Sequence, residues 1–319
     1  MDQSLLKKYS EQYGVRFSLG QKKKFLKALQ ADFEQLGYKT NIYQEKQYKL
    51  FPTVNYFFGD MKTAKTLIVV PYDTPERKFW KNVKYYPLDG YKNVNKNYKA
   101  NYLPLIIMYV VILVLLYGAN YLFQDNLLVM NIITILMSIA MLILVYMMIK
   151  GFASPYNVNR NSASIVAALE IAKQLGSEKG KVAFVFIDKN KNMHHGAKVF
   201  AEVLEKENRN PQIICLDCLG VGSLTSIAYT QQNRKIAADL SKYFKFNNEV
   251  IDVVKMDGDK VIQTMIQHYR KGVVISSGDL DEEKSLVVSN TSTTKDKKVD
   301  EARINAIISM LVQYIKKES

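Results

Sequence analysis

Two small clusters in this 319-residue chain have the residue types that do chemistry. Cys215 and Cys218 bracket Leu216-Asp217, a spacing that suits a redox dithiol or half of a zinc site. His194 and His195 stand together, and imidazole is the commonest transition-metal ligand. The surroundings argue against both readings. The cysteines lie in an apolar, strand-like run with no second pair to complete a metal site, so they read as reduced thiols in the core of a cytoplasmic domain. Adjacent residues at a helix start point in different directions, so the two histidines read as polar loop residues.

The elements around them alternate in kind. Ser18 is placed to cap a helix over 21–36, where Phe25, Leu26, Leu29, Phe33 and Leu36 recur at helical spacing and Gly37 stops the chain. Short β-branched or aromatic runs at 39–43, 54–58 and 66–70 predict three strands. Further on come a helix over 162–175, a strand over 182–187, a helix over 193–207 and a strand over 213–218. Strands follow at 223–230, 250–254 and 273–276, with helices at 232–244, 258–269 and 300–317. Continuous apolar strands between helices indicate an α/β sheet covered on both faces.

Between these two sets lie two uncharged apolar runs, 102–123 and 127–149, parted by Gln124, Asp125 and Asn126. Each has about the ~20 residues that a membrane-crossing helix needs, and the short link makes them an antiparallel hairpin. Lys92, Lys96, Lys99 and Lys150 flank the outer ends while only Asp125 marks the turn, so the positive-inside rule places both flanks in the cytoplasm. The opening residues 1–8 carry no apolar segment behind Lys7 and Lys8, so no secretory signal opposes this topology. The net charge of +14 is read as facing anionic lipid rather than nucleic acid, for which no motif is present. Phe79, Trp80, Tyr85, Tyr86, Tyr91 and Tyr98, interleaved with lysines, are expected to lie in the headgroup layer. The expected organisation is one domain in two parts, 1–101 and 150–319, with the hairpin 102–149 inserted.

Four stretches stand in order on both sides of the hairpin. Thr66-Leu67-Ile68-Val69-Val70-Pro71-Tyr72-Asp73-Thr74 is similar to a strand that delivers a His-x-Asp. Residues 161–172 are similar to the helix after an Asp-Asn-x-Ser-Gly, and 182–188 with 196–202 to a strand ending in Phe-Asp-Gly-Glu-Glu and the helix beyond it. Ile213-Ile214-Cys215-Leu216-Asp217 is similar to a strand ending in Asn-Leu-Asp. Together they resemble the zinc-dependent aminopeptidase family, which also contains glutamate carboxypeptidase, glutaminyl cyclase and the non-catalytic transferrin receptor. The resemblance implies a zinc-aminopeptidase-like mixed sheet covered by helices on both faces, here interrupted by a two-helix transmembrane hairpin.

It also implies a site that this sequence lacks. Family members hold two zinc ions with imidazoles and carboxylates and use a free glutamate as general base. The matching positions here are Pro71 for the first histidine, Arg160 for the bridging aspartate, Asn190 and Lys191 for the paired glutamates, and Asn290 for the last histidine. Only Asp73 and Asp217 persist. The expectation is a pseudo-enzyme with no cofactor and no metal, tethered to the inner face of a bacterial-type membrane, that binds or positions a membrane-protein or peptide partner. An accessory subunit of a membrane transport or processing complex, acting through the hairpin, is the alternative; an active metallo-aminopeptidase is the third reading. Two acidic side chains left without metal require a counter-charge, so Arg160 or Lys191 is expected to pair with Asp73 or Asp217.

Overall fold

A computed structural model of the chain describes residues 1–45, 52–77, 83–178, 180–190, 194–247 and 249–317. The elements are α1 (Gln3–Lys7), α2 (Leu19–Gln35), β1 (Thr40–Glu45), β2 (Thr53–Phe58), β3 (Thr66–Pro71), β4 (Lys84–Tyr85), α3 (Gly90–Leu122) and α4 (Leu127–Lys150). They continue with α5 (Ala163–Leu175), β5 (Val182–Ile187), α6 (His195–Lys206), β6 (Gln212–Leu216), β7 (Leu224–Tyr229), α7 (Arg234–Ser241), β8 (Asp252–Lys255), β9 (Gly272–Leu280), β10 (Leu286–Ser289) and α8 (Glu301–Lys317). The strands form one mixed sheet in the order β1-β2-β5-β3-β6-β9-β10-β4, with β7 also on β9 and β8 on β7. β5, β3, β6 and β9 run parallel at its centre.

Alternation along the central strands sorts the core into two layers. Ile68, Val70, Phe184, Phe186, Ile214 and Leu216 face α2, α5 and α8. Leu67, Val69, Ala183, Val185, Ile187, Ile213 and Cys215 face Ala197, Phe200 and Leu204 of α6. A strand buried on both faces needs unbroken apolar sequence, and Val182-Ala183-Phe184-Val185-Phe186-Ile187 supplies it. The expected cap of α2 is present as a reciprocal capping box between Ser18 and Gln21.

β9 outruns its neighbour β6, and the excess length positions the site. β6 ends at Leu216, opposite Ile275, while the last residues of β9 pair with β10. β10 in turn carries the two-residue β4 through Val288↔Tyr85. This short ladder was not among the expected strands, and it brings Tyr85 over the end of β6.

Two other expectations change. The helix expected over 258–269 is only two single turns, Gly258–Lys260 and Met265–His268. Gly258 and Gln263 have φ of +52° and +61°, which a right-handed helix cannot contain. α3 begins at Gly90 rather than 102, capped by the Asp89 side chain on the Lys92 N–H at 2.9 Å. Its first turns dock on the domain: Lys92 Nζ lies 2.6 Å from Glu283 and 3.3 Å from Asp281, and Lys96 Nζ donates to Tyr86 Oη at 2.7 Å. Tyr85 and Tyr86 are therefore buried in the domain, not placed in a headgroup layer. Phe79 and Trp80 lie outside the described residues. α3 and α4 pack together as a hairpin, and both are long and apolar enough to cross a membrane.

Candidate functional site

The C-terminal ends of β3, β5 and β6 converge with the segment that precedes α5, and together they deliver the matched positions Pro71, Asp73, Arg160, Asn190 and Asp217. β3 ends at Pro71, paired with Ile187 of β5, and Asp73 follows. Asn190 follows β5, and Asp217 follows β6 with its N–H on the Ile275 carbonyl at 3.0 Å. Arg160 lies in the π-helical turn Val158–Ser162 that leads into α5. Asp73, Arg160, Asn190 and Asp217 are all buried.

The expected ion pair is present: Arg160 Nη1 lies against Asp217 Oδ1. The other carboxylate oxygen accepts from Tyr85 Oη at 2.7 Å, and the Arg160 guanidinium lies 3.9 Å from the centre of the Tyr85 ring. Cys218, at φ +56°, points its thiol at the same group, with Sγ 3.5 Å from Asp217 Oδ1 and 3.6 Å from Arg160 Nη1. Burial lowers the titration of Arg160, but the Asp217 carboxylate, and after it Tyr85, outweigh burial and hold it well above the usual value. The Cys218 thiol is pushed up by burial and then by Asp217, so it stays protonated.

Asp296 braces this arrangement from below, accepting the N–H groups of Asn159 at 2.7 Å and Arg160 at 3.3 Å. Burial raises its carboxyl to about 6, against those two hydrogen bonds. Asp73 accepts the Asn190 N–H at 2.9 Å through Oδ1, and its carbonyl accepts from the Asn161 amide. It also lies in the field of both Arg16 and Arg160. Arg16 is fully buried and donates to the Tyr72, Tyr9 and Tyr13 carbonyls at 2.6, 3.0 and 2.7 Å. His194 lies in the turn that leads into α6, as expected, but is buried beside Asn190 with its Nδ1 against Asn190 Oδ1. Burial, and then the Arg160 charge, lower its pKa to about 3, so the ring is neutral.

Asn290 contributes through its backbone, its N–H bonding the Val83 carbonyl at 3.0 Å. Lys191 lies outside the described residues. Tyr85, Cys218, Asp296 and Arg16 are the site residues that sequence reasoning missed. For Tyr85 the only signal was an aromatic residue in a stretch without period.

The zinc ions that the resemblance implies do not fit this donor set. Both oxygens of Asp217 are occupied by Arg160 and Tyr85, and a guanidinium stands where a bridging carboxylate would be needed. Among the described residues no three His, Cys, Asp or Glu side chains come together to hold a metal.

No protein-family model matches the sequence, and no curated protein does. Solved structures do. Glutaminyl cyclase from Porphyromonas gingivalis aligns with a TM-score of 0.61 at 12% identity, over 99% of this chain and 96% of that one. A Zn-dependent exopeptidase from Parabacteroides distasonis gives 0.58 at 13% identity, over 98% and 94%. A leucine aminopeptidase precursor from Bacteroides thetaiotaomicron gives 0.55 at 12% identity, over 99% and 94%. At these identities the likeness is one of fold, and the chain has the mixed α/β fold of these exopeptidases and cyclases.

Proposed function

We propose that the chain is a membrane-anchored protein whose peptidase-like domain performs no catalysis and binds or positions a partner at the cytoplasmic membrane face. The observation that carries this is the buried Arg160–Asp217 pair beneath Tyr85. A cation on one oxygen of that carboxylate and the Tyr85 hydroxyl on the other occupy the two oxygens that Asp217 would offer a metal. Purified full-length protein is expected to hold no stoichiometric zinc and to release no amino acid from aminopeptidase substrates. Near two zinc per chain, with peptide hydrolysis lost on chelation, would overturn the reading.

Anchoring is supported by exposure as well as composition. A core helix of a soluble protein is mostly buried, whereas none of Leu105–Leu122 and 6% of Leu127–Met147 is buried here. A cysteine introduced by Asp125→Cys should be labelled from outside intact cells. Labelling of Ser319→Cys instead would reverse the topology. Both native thiols are buried, which keeps that assay clean.

A second reading, an accessory subunit acting through the hairpin, is favoured by Asn131, Thr134 and Ser138. They are exposed at helical spacing on α4, where lipid offers no hydrogen-bond partner. Under that reading Asn131→Leu with Ser138→Ala abolishes co-purification of a membrane partner; under the first, the partner is retained.

A further inference from the structure

We propose that the surface at the exit of α4, formed by Phe152, Pro155 and Tyr156 with Lys295, Lys297 and Lys298, is a second membrane contact that lies against anionic lipid headgroups. The proposal rests on the reading that the hairpin spans the membrane, and it moves the lipid contact away from the lysines in the first turns of α3. Lys92 is held by Asp281 and Glu283, and Lys96 by Tyr86, so those two ammonium groups are directed at the domain.

Helix geometry puts the α4 exit nearest the bilayer. Counting back along both helices from the turn at 124–126 sets Lys150 level with position 99 of α3. α3 then continues to Gly90, roughly 14 Å further at 1.5 Å per residue, before it meets its cap. α4 stops at Lys150 and the chain enters the domain at once, turned by Gly151 at φ +65° and held by the Arg77 N–H on the Phe152 carbonyl at 2.7 Å. The residues that follow Lys150 are thus the part of the domain closest to the span.

Those residues have headgroup-layer chemistry. Phe152 is 45% and Tyr156 36% exposed, and Pro155 between them is exposed as well. The basic turn is fixed to this ridge. The Val158 N–H bonds the Asp296 carbonyl at 3.3 Å, and Lys297 Nζ lies 4.3 Å from the centre of the Tyr156 ring. The one acidic residue of the turn, Asp296, is buried with its carboxyl on the Asn159 and Arg160 N–H groups. Lys295, Lys297 and Lys298 are exposed, so the outer face of the turn carries only positive charge. Aromatic rings at the interface with ammonium groups beside them match an anionic leaflet.

The test uses the full chain in lipid nanodiscs, with Trp80→Phe to remove the single tryptophan and Tyr156→Trp or Val114→Trp as reporter. Lipids carrying nitroxide on the headgroup or deep on the acyl chain serve as quenchers. The expected result is strong headgroup quenching of the Tyr156→Trp reporter in discs containing phosphatidylserine, and weak quenching in phosphatidylcholine or at high salt. Each of Lys295→Gln, Lys297→Gln and Lys298→Gln is expected to shift the apposed-to-lifted ratio about fivefold, the usual effect of one basic residue near an anionic surface. Deep quenching of the Val114→Trp reporter, with the Tyr156→Trp reporter unquenched or equally quenched in both lipids, would overturn the proposal and leave the membrane span standing. A Val114→Trp reporter that no lipid quencher reaches would overturn the span and the contact together.

Discussion

Replacing Arg160 by methionine removes the guanidinium while keeping much of its volume, and it strands Asp217. That carboxylate is 1% exposed, and its remaining donors would be the Tyr85 hydroxyl at 2.7 Å and the weak Cys218 thiol at 3.5 Å. Removing one partner of a buried pair costs on the order of 3–5 kcal/mol, because the uncompensated charge stays behind. A change of 1 kcal/mol moves Tm by ~2–4 °C in a domain of this size class, so Arg160→Met should melt roughly 10 °C lower. Asp217→Asn alone strands the opposite charge and should cost a similar amount. The double variant leaves no stranded charge and is expected to melt close to either single variant rather than at their sum. The assay is thermal unfolding of the full chain in nanodiscs, followed by far-ultraviolet circular dichroism at one scan rate. Arg160→Met within about 2 °C of the parent, or two effects that simply add, would refute the claim that this pair replaces a metal as the counter-charge.

Tyr85→Phe removes a hydroxyl donor from a buried carboxylate and should cost ~1.5–3 kcal/mol, measured in the same melts. His194→Asn keeps a donor for Asn190 Oδ1 and suits the left-handed backbone at φ +54°, but removes a titrating group. Burial lowers the His194 pKa from 6.5 to about 3, so on acidification the unfolded chain binds its proton first, and stability is lost as pH falls from 6.5 towards 3, by about 1.4 kcal/mol per unit at most. Asp296, raised to about 6, has the opposite slope between 3.8 and about 6, so the check is the parent-minus-variant difference across pH 3.5–6.5, which should shrink as pH falls. Gly90→Ala drives a Cβ into the Ile262 carbonyl and should destabilise the docking of α3 by about 1–3 kcal/mol, read as faster proteolysis between Asp89 and Lys96.

The legible parts of the chain were those whose cause is local. Continuous apolar sequence specifies β5, and Ser18 with Gln21 specifies the start of α2. That Arg160 or Lys191 would meet Asp73 or Asp217 followed from the family resemblance, which assigns all four to one site; the structure shows the Arg160–Asp217 pair. Tyr85 could not be read that way. Its strand is two residues long and exists only because β10, some two hundred positions later, pairs with it. The start of α3 was hidden for the same reason, since Lys92 and Lys96 read as membrane-flanking lysines until Asp281, Glu283 and Tyr86 are brought beside them. At 258–269 the apolar residues Val261, Met265 and Ile266 have helical spacing. Two positive φ angles break the helix, and nothing in the residue types at Gln263 announces its share.

Asp217 binds one residue from before α3 and one from after α4. Tyr85 belongs to the strand that feeds α3 by way of the Asp89 cap, and Arg160 belongs to the turn that the chain reaches after leaving α4. A metal held by the ends of β3, β5 and β6 would tie those strands to one another and leave the insertion tied only by its backbone. The organic pair ties the insertion itself to β6. Because both contacts are buried and one is ionic, withdrawing either root from Asp217 exposes a charge to a medium that cannot solvate it. Tilting the hairpin against the domain therefore has to break the Arg160 and Tyr85 contacts or bend the chain between them and the helices. That chain has little slack, since Glu76 pairs with Ala153 across the two roots and the backbone of residues 75–77 bonds that of 152–154. A displacement of α3 or α4 is in this way passed to Asp217 at the end of β6.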